Sequence, residues 1–293
     1  MERRQRTTRE DDRAILRTIR RRLGYQALFD VPDVEAAIDL AVQSKLSAVE
    51  LNMNAPHFYP ERYPRGKRRE LRRRAEDGGV VLLLHANEEI DLCSFREEIR
   101  CGSIELVART IEFAVDLGAL RVTIHPGRLA PLFGVEGRYV SLFEKYPGGF
   151  ANSFRDSIMG ISPFLDPRVD VCFENVGPFH DPITHPLLEE LWASVDIYLA
   201  WDLGHTHLLQ RRDPDRGELE QRFFRRHLDR VRNCHVHDND GKRDSHDVIG
   251  RGTADIRSYL ELLAGTQTWF IFEVRPHERA LECLRVFESW LEP

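Results

Sequence analysis

Eight short runs of aliphatic and β-branched residues, each followed by an amphipathic stretch, constrain this chain more than any other feature. The runs are Leu23–Phe29, Ala48–Leu51, Val80–His85, Arg121–His125, Asp170–Glu174, Ile197–Asp202, Asn233–His237 and Trp269–Glu273. Strands alternating with helices predict a parallel sheet, and near-continuous apolar strands are covered on both faces. Eight such units in 293 residues match a single α/β (β/α)8 TIM barrel. We expect it to span residues 23–293, behind a charged N-terminal arm at 1–22 that is solvated or partly helical.

The intervening helices carry start and stop signals. Asp33 is placed to cap a helix whose Val34, Ala37, Ile38, Ala41 and Val42 follow the helical period. Ser103 reads as the cap of another, with Ile104, Val107, Ile111 and Ala114 on one face and Gly118 as its stop. A last helix is expected from about Glu278 to Leu291. Two connections are unusually long. Residues 126–150 include Phe133, Tyr139, Phe143, Tyr146 and Gly148–Gly149, and read equally well as a lid or as a homo-oligomer contact. Residues 238–252 follow the seventh strand. Both leave the C-terminal ends of strands, where barrel enzymes place their chemistry.

Composition narrows the setting. Five cysteines at 93, 101, 172, 234 and 283 form no CxxC pair, and two fall inside expected strands, which suits a reducing, cytoplasmic compartment. No apolar run approaches a membrane span, and the Arg-rich first residues do not resemble a secretory signal. A net charge of −6 gives no global attraction for nucleic acid, although Arg3–Arg22 and Arg62–Arg74 are locally basic.

The chemistry concentrates at strand ends. The third run ends on His85, the fourth on His125, the fifth on Glu174 and the sixth on Asp202, with His205 three residues later. The seventh carries His235 and His237 and leads to Asp244 and His246; the eighth ends on Glu273. Any one of these alone is more often a satisfied structural residue. Together they converge across a barrel mouth, where Glu174, Asp202, Asp244 and Glu273 would repel one another unless a cation intervened. Imidazole with carboxylate suits a divalent metal, zinc or manganese foremost. None of the four lysines ends a strand, as a Schiff-base enzyme would need, and neither a Gly-rich phosphate loop nor a Gly-x-Ser-x-Gly elbow occurs.

His-Pro-Gly at His125, Glu-Asn at Glu174, Asp-Leu-Gly-His at Asp202 and His-Val-His-Asp-Asn-Asp-Gly at His235 resemble the xylose-isomerase-like barrels. That superfamily joins sugar and sugar-phosphate isomerases and epimerases with endonuclease IV-like apurinic-site nucleases. The resemblance implies a central metal on Glu174, Asp202, His235 and Glu273. By analogy with the nucleases it implies two more, on His85 and His125 sharing Glu174, and on His205, Asp244 and His246. In the epimerase-type relatives the metal-bound glutamates also act as acid and base, which would make Glu174 and Glu273 catalytic here.

The expectation from sequence is therefore a metal-dependent isomerase or epimerase on a sugar, sugar phosphate or polyol. Its rival is an endonuclease IV-like phosphodiesterase acting on DNA. Asn87-Glu88-Glu89 follows the third-strand histidine where the nucleases carry an apolar, aromatic wedge, and acids there would face phosphates unfavourably. Three further residues are expected near substrate: Glu50, His237 and Arg251. His237 and His207 also read as supports that orient a ligand.

Overall fold

The computed structural model describes residues 9–130 and 132–292. Its strands are β1 (Leu23–Ala27), β2 (Ala48–Asn52), β3 (Val81–His85), β4 (Arg121–Ile124), β5 (Leu132–Val135), β6 (Arg138–Ser141), β7 (Asp170–Glu174), β8 (Tyr198–Asp202), β9 (Val231–Val236) and β10 (Trp269–Phe272). All but β5 and β6 close into one parallel barrel, β1-β2-β3-β4-β7-β8-β9-β10, with β10 pairing back onto β1. This is a (β/α)8 TIM barrel, and each of its strands overlaps a run read from the sequence.

Period-two alternation decides which side chain faces where. Val49, Leu51, Leu82, Leu84, Val122, Ile124, Val171, Phe173, Leu199 and Trp201 join the main core that also includes the surrounding helices. Ala48, Leu83 and Ile271 belong to a separate small cluster, with Val81 and Trp269 packed against it. The same alternating positions carry the buried polar residues Gln26, Glu50, Thr123 and Asn233, then His85, Glu174, Asp202, His235 and Glu273 towards the strand ends. The lumen therefore grades from apolar floor to ionisable mouth.

Local signals explain much of the rest. Asp33 caps the helix Val34–Gln43 by accepting from Ala36 N–H, and Gly118 ends the helix Glu97–Leu117 in a left-handed conformation. That second helix starts at Glu97, so Ser103 is not its cap. Ser103 instead lies buried within it and accepts the Asp91 N–H at 2.9 Å, a loop donor that would otherwise be unpaired. Residues 126–150, read as a long connection serving as lid or oligomer contact, contain the antiparallel β5–β6 hairpin. Its turn residues Glu136 (φ 49°) and Gly137 (φ 80°) both have the positive φ that tight hairpins demand. Phe143 and Phe150 are buried, whereas Phe133, Tyr139 and Tyr146 are exposed.

Of the segment 1–22, residues 1–8 lie outside the described residues. Residues 9–20 form a helix that buries Leu16 and Ile19, and Arg20 pairs with Glu288 at 2.9 Å. Arg22 donates to the carbonyls of Ala264, Thr266 and Thr268. Among the described residues no helix is long and apolar enough to cross a membrane.

Candidate metal centre

Three groups of donors meet at the mouth: His85, His125 and Glu174; Glu174, Asp202, His235 and Glu273; and His205, His237, Asp244 and His246. Within each group the ligand atoms lie within 4.8 Å of one another. In the first, the Nε2 atoms of His85 and His125 are each 3.2 Å from Glu174 Oε2. In the second, His235 Nδ1 lies 3.0 Å from Glu273 Oε2, 3.4 Å from Glu174 Oε2 and 3.8 Å from Asp202 Oδ2. In the third, Asp244 Oδ2 lies 3.2 Å from His205 Nε2 and 3.3 Å from His246 Nε2. Two ligands bonded to one ion at ~2.0–2.3 Å stand about this far apart.

Direction matters as much as distance. His235 Nδ1 and Glu273 Oε2 are 3.0 Å apart, yet both are buried and neither makes a hydrogen bond. Their separation is that of a bond, but the angle between them is not. His205 Nδ1, 3.3 Å from Glu174 Oε1, is orphaned in the same way. Buried polar atoms are rarely left unpaired, and a cation between them removes the anomaly. The residues present therefore fit divalent metal.

Surrounding groups hold the donors in place. His85 Nδ1 contacts the Ala86 carbonyl at 2.9 Å and His246 Nδ1 the Glu273 carbonyl at 2.8 Å, so each ring carries its proton there and offers Nε2. His235 is turned the other way: its Nε2 faces Glu50 Oε2 at 2.9 Å and leaves Nδ1 for the centre. Asp202 caps the helix Leu203–Arg212, accepting His205 N–H at 2.6 Å, which sets His205 one turn above it. Asn175 accepts Asp202 N–H at 2.6 Å and donates to its carbonyl at 3.0 Å, and is itself held by buried Glu220.

Three sequence expectations change. Glu50 is not placed for substrate: it is fully buried below the donors. Its carboxylate is filled by Gln26, Thr123, Asn233 and His235. Arg251 points away to an exposed ion pair with Glu282 at 2.6 Å, because the loop carrying it is folded around Asp238, which accepts the N–H groups of Gly250, Gly252 and Ala254. His207 bonds Thr253 at 2.9 Å rather than a donor residue. His237, expected near substrate or as a support, is buried with its Nε2 3.0 Å from Asp202.

Sequence reasoning missed Gln26, Thr123, Asn233, Asn175 and Glu220. Thr123 and Asn233 stand two residues before His125 and His235, so strand parity alone could have placed them in the lumen. It also missed Arg275, whose Nη2 lies 3.2 Å from Glu273 Oε1.

The electrostatics follow from this crowding. Burial opposes charge on His85 and His246, but neighbouring carboxylates outweigh it and lift both to about 9. Burial likewise pushes Glu174 and Glu273 up, and the facing imidazoles, His235 first, reverse this and hold both well below the usual carboxylate range. At neutral pH His85 and His246 thus keep protons that a cation must expel. Apparent zinc affinity should rise with pH and level off above about 9. Both folded values exceed the ordinary 6.5, so the charged rings stabilise the chelated protein fully below pH 6.5, and that stability is lost as pH climbs through 9. Zinc titrations and melting curves of chelated protein between pH 6 and 10 check both trends; a flat affinity would contradict the protonation pattern.

The family model described as xylose isomerase-like TIM barrel matches residues 38–290. The chain belongs to this family. Among solved structures it is similar to a D-tagatose 3-epimerase-like protein, with TM-score 0.70 and 18% identity over 92% of this chain and 97% of that one. It is similar also to endonuclease IV from Thermus thermophilus, with TM-score 0.61 and 20% identity over 92% and 98%. The TTHB071 protein of the same organism, soaked with ZnCl2, gives TM-score 0.64 and 19% identity over 92% and 97%. These likenesses establish the shared fold. A curated relative, the uncharacterized protein MJ1614 of Methanocaldococcus jannaschii, is 24% identical over 58% of this chain. The match spans 61% of that relative's length.

Proposed function

We propose that this xylose isomerase-like barrel is a divalent-metal-dependent enzyme that hydrolyses a phosphate ester at a multinuclear centre. The observation supporting this reading is the position of Glu174. Its Oε2 faces His85 and His125 at 3.2 Å each and His235 at 3.4 Å, while its Oε1 faces His205 at 3.3 Å. One carboxylate common to adjacent donor groups is what closely spaced ions require, and a single-ion site has no use for it. Bound divalent cations supply charge neutralisation at phosphoryl oxygens and acidify water at neutral pH. His85, His125 and Glu174 would hold one cation and Glu174, Asp202, His235 and Glu273 the next. Arg275, half-buried beside Glu273, stands where a substrate anion would be met. Glu88 and Glu89, exposed next to the mouth, would repel a duplex backbone, which favours a small sugar phosphate over DNA.

A second reading is the isomerase or epimerase expected from sequence. In its favour, Glu273 and Glu174 flank His235 Nδ1 at 3.0 and 3.4 Å, a pair of carboxylates about one point. Against it, both oxygens of Glu174 are engaged by imidazoles, Oε2 by His85, His125 and His235 and Oε1 by His205, which leaves neither free for proton transfer.

Manganese- or zinc-loaded protein should release inorganic phosphate from members of a sugar-phosphate panel without taking solvent deuterium into the sugar. Deuterium appearing beside the carbonyl, with no phosphate released, would transfer the assignment to the isomerase. Incision of an abasic duplex in place of phosphate release would assign the nuclease.

A further inference from the structure

We propose that Glu220, paired with His180, is a positioning residue that fixes Asp202 of the central donor group through the amide of Asn175. This rests on the metal-centre reading above and adds a determinant that lies outside it. Glu220, His180 and Asn175 belong to none of the three donor groups.

The need for a clasp comes from the barrel itself. Pairing of β7 with β8 ends at Glu174 opposite Ala200, two residues short of Asp202. On its other side Asp202 is still in register with His235 of β9. The Asn175 side chain takes over where the β7 ladder stops. Its Oδ1 accepts the Asp202 N–H at 2.6 Å, and its Nδ2 donates to the Asp202 carbonyl at 3.0 Å. One side chain thus holds both backbone groups of a residue whose carboxylate faces the centre.

An amide makes that clasp in one sense only, because turning it over would set Nδ2 against the Asp202 N–H. Glu220 selects the sense. A carboxylate accepts and does not donate. Glu220 Oε1 takes Asn175 Nδ2 at 3.1 Å and Thr206 Oγ1 at 3.2 Å. Thr206 Oγ1 itself receives Trp201 Nε1–H at 2.8 Å and Asn175 Nδ2 at 3.0 Å, so its one proton goes to Glu220. The donors of the cluster are satisfied together only by an acceptor at position 220. His180, partly exposed, completes the pair: its Nδ1 donates to Oε2 of the fully buried Glu220 at 2.6 Å. A buried ionic pair is often no more stabilising than apolar residues of like volume. What this one contributes is orientation.

The full-length protein and its variants are compared by three measurements. These are exchange of the Asp202 amide followed by NMR in chelated protein, zinc affinity by chelator competition, and melting temperature. Glu220→Leu removes the acceptor at similar bulk. The Asp202 amide should then exchange at least about tenfold faster, as expected when a local opening becomes easier. At least one zinc should bind about 10–100-fold more weakly, the range for losing a partner that orients a ligand. Glu220→Gln, which still offers Asn175 and Thr206 an acceptor oxygen, should restore most of both. His180→Ala, at a partly exposed position, should move both in the direction of Glu220→Leu even if that variant folds poorly. Unchanged zinc affinity and Asp202 exchange in Glu220→Leu and His180→Ala, with or without a lower melting temperature, overturns the positioning role and leaves the metal centre standing. Wild-type protein that binds no zinc overturns the metal-centre reading instead, and the Asp202 exchange rates still decide whether Glu220 acts on that residue.

Discussion

Glu174→Gln is expected to empty two donor groups at once and to lower turnover by about 10²–10³-fold, the range for removing one electrostatic contact from a dry site. An amide has almost the same shape but no charge and one fewer acceptor oxygen. It cannot face His85 and His125 with one oxygen and His205 with the other, as the carboxylate does at 3.2–3.3 Å. Zinc counted by elemental analysis should fall, with the His205 group keeping its ion because Glu174 is not one of its members. A second readout follows from the charge. His85 is lifted to about 9 against the cost of burial by its bond to Glu174, so in the variant it should titrate lower. Proton release on metal binding then shrinks. A variant with full ion content and wild-type pH dependence would remove Glu174 from its bridging role.

Glu50→Ala should cost about 3–5 kcal/mol, because it breaks a fully buried charge network from one side. With roughly 2–4 °C per kcal/mol for a domain approaching this size, the melting temperature should fall on the order of 10 °C. Asn233 Nδ2, 2.7 Å from Glu50 Oε1, and His235 Nε2, 2.9 Å from Oε2, would both lose their acceptor. The freed His235 ring then no longer presents Nδ1 to the central group, and affinity there should drop by roughly 10–100-fold. Glu50→Gln preserves volume and most of the hydrogen bonds and should lose much less. Calorimetry and zinc titration of the two variants decide the matter. Had Glu50 been a substrate contact, Glu50→Ala would raise KM with melting temperature and metal content unmoved.

Local rules were enough for the elements themselves. Strand patterning located Asp170–Glu174 to the residue, and the Asp33 cap and Gly118 stop mark real helix boundaries, since each depends on neighbours a few positions away. The helix start at Glu97 escaped because Arg96 makes no side-chain cap there, and the reading settled on Ser103 downstream. The strand-end acids and imidazoles were equally visible in the chain, and the structure gathers them into three candidate donor groups. Closure and stagger of the barrel decided the remainder. They bring Glu50 under His235 across 185 residues of chain and turn Arg251 outward to Glu282. They also lay His237 over Gly204. A one-dimensional pattern specifies which side of a strand a residue occupies, but the height at which strands pair determines which side chains meet, and that is a property of the closed ring.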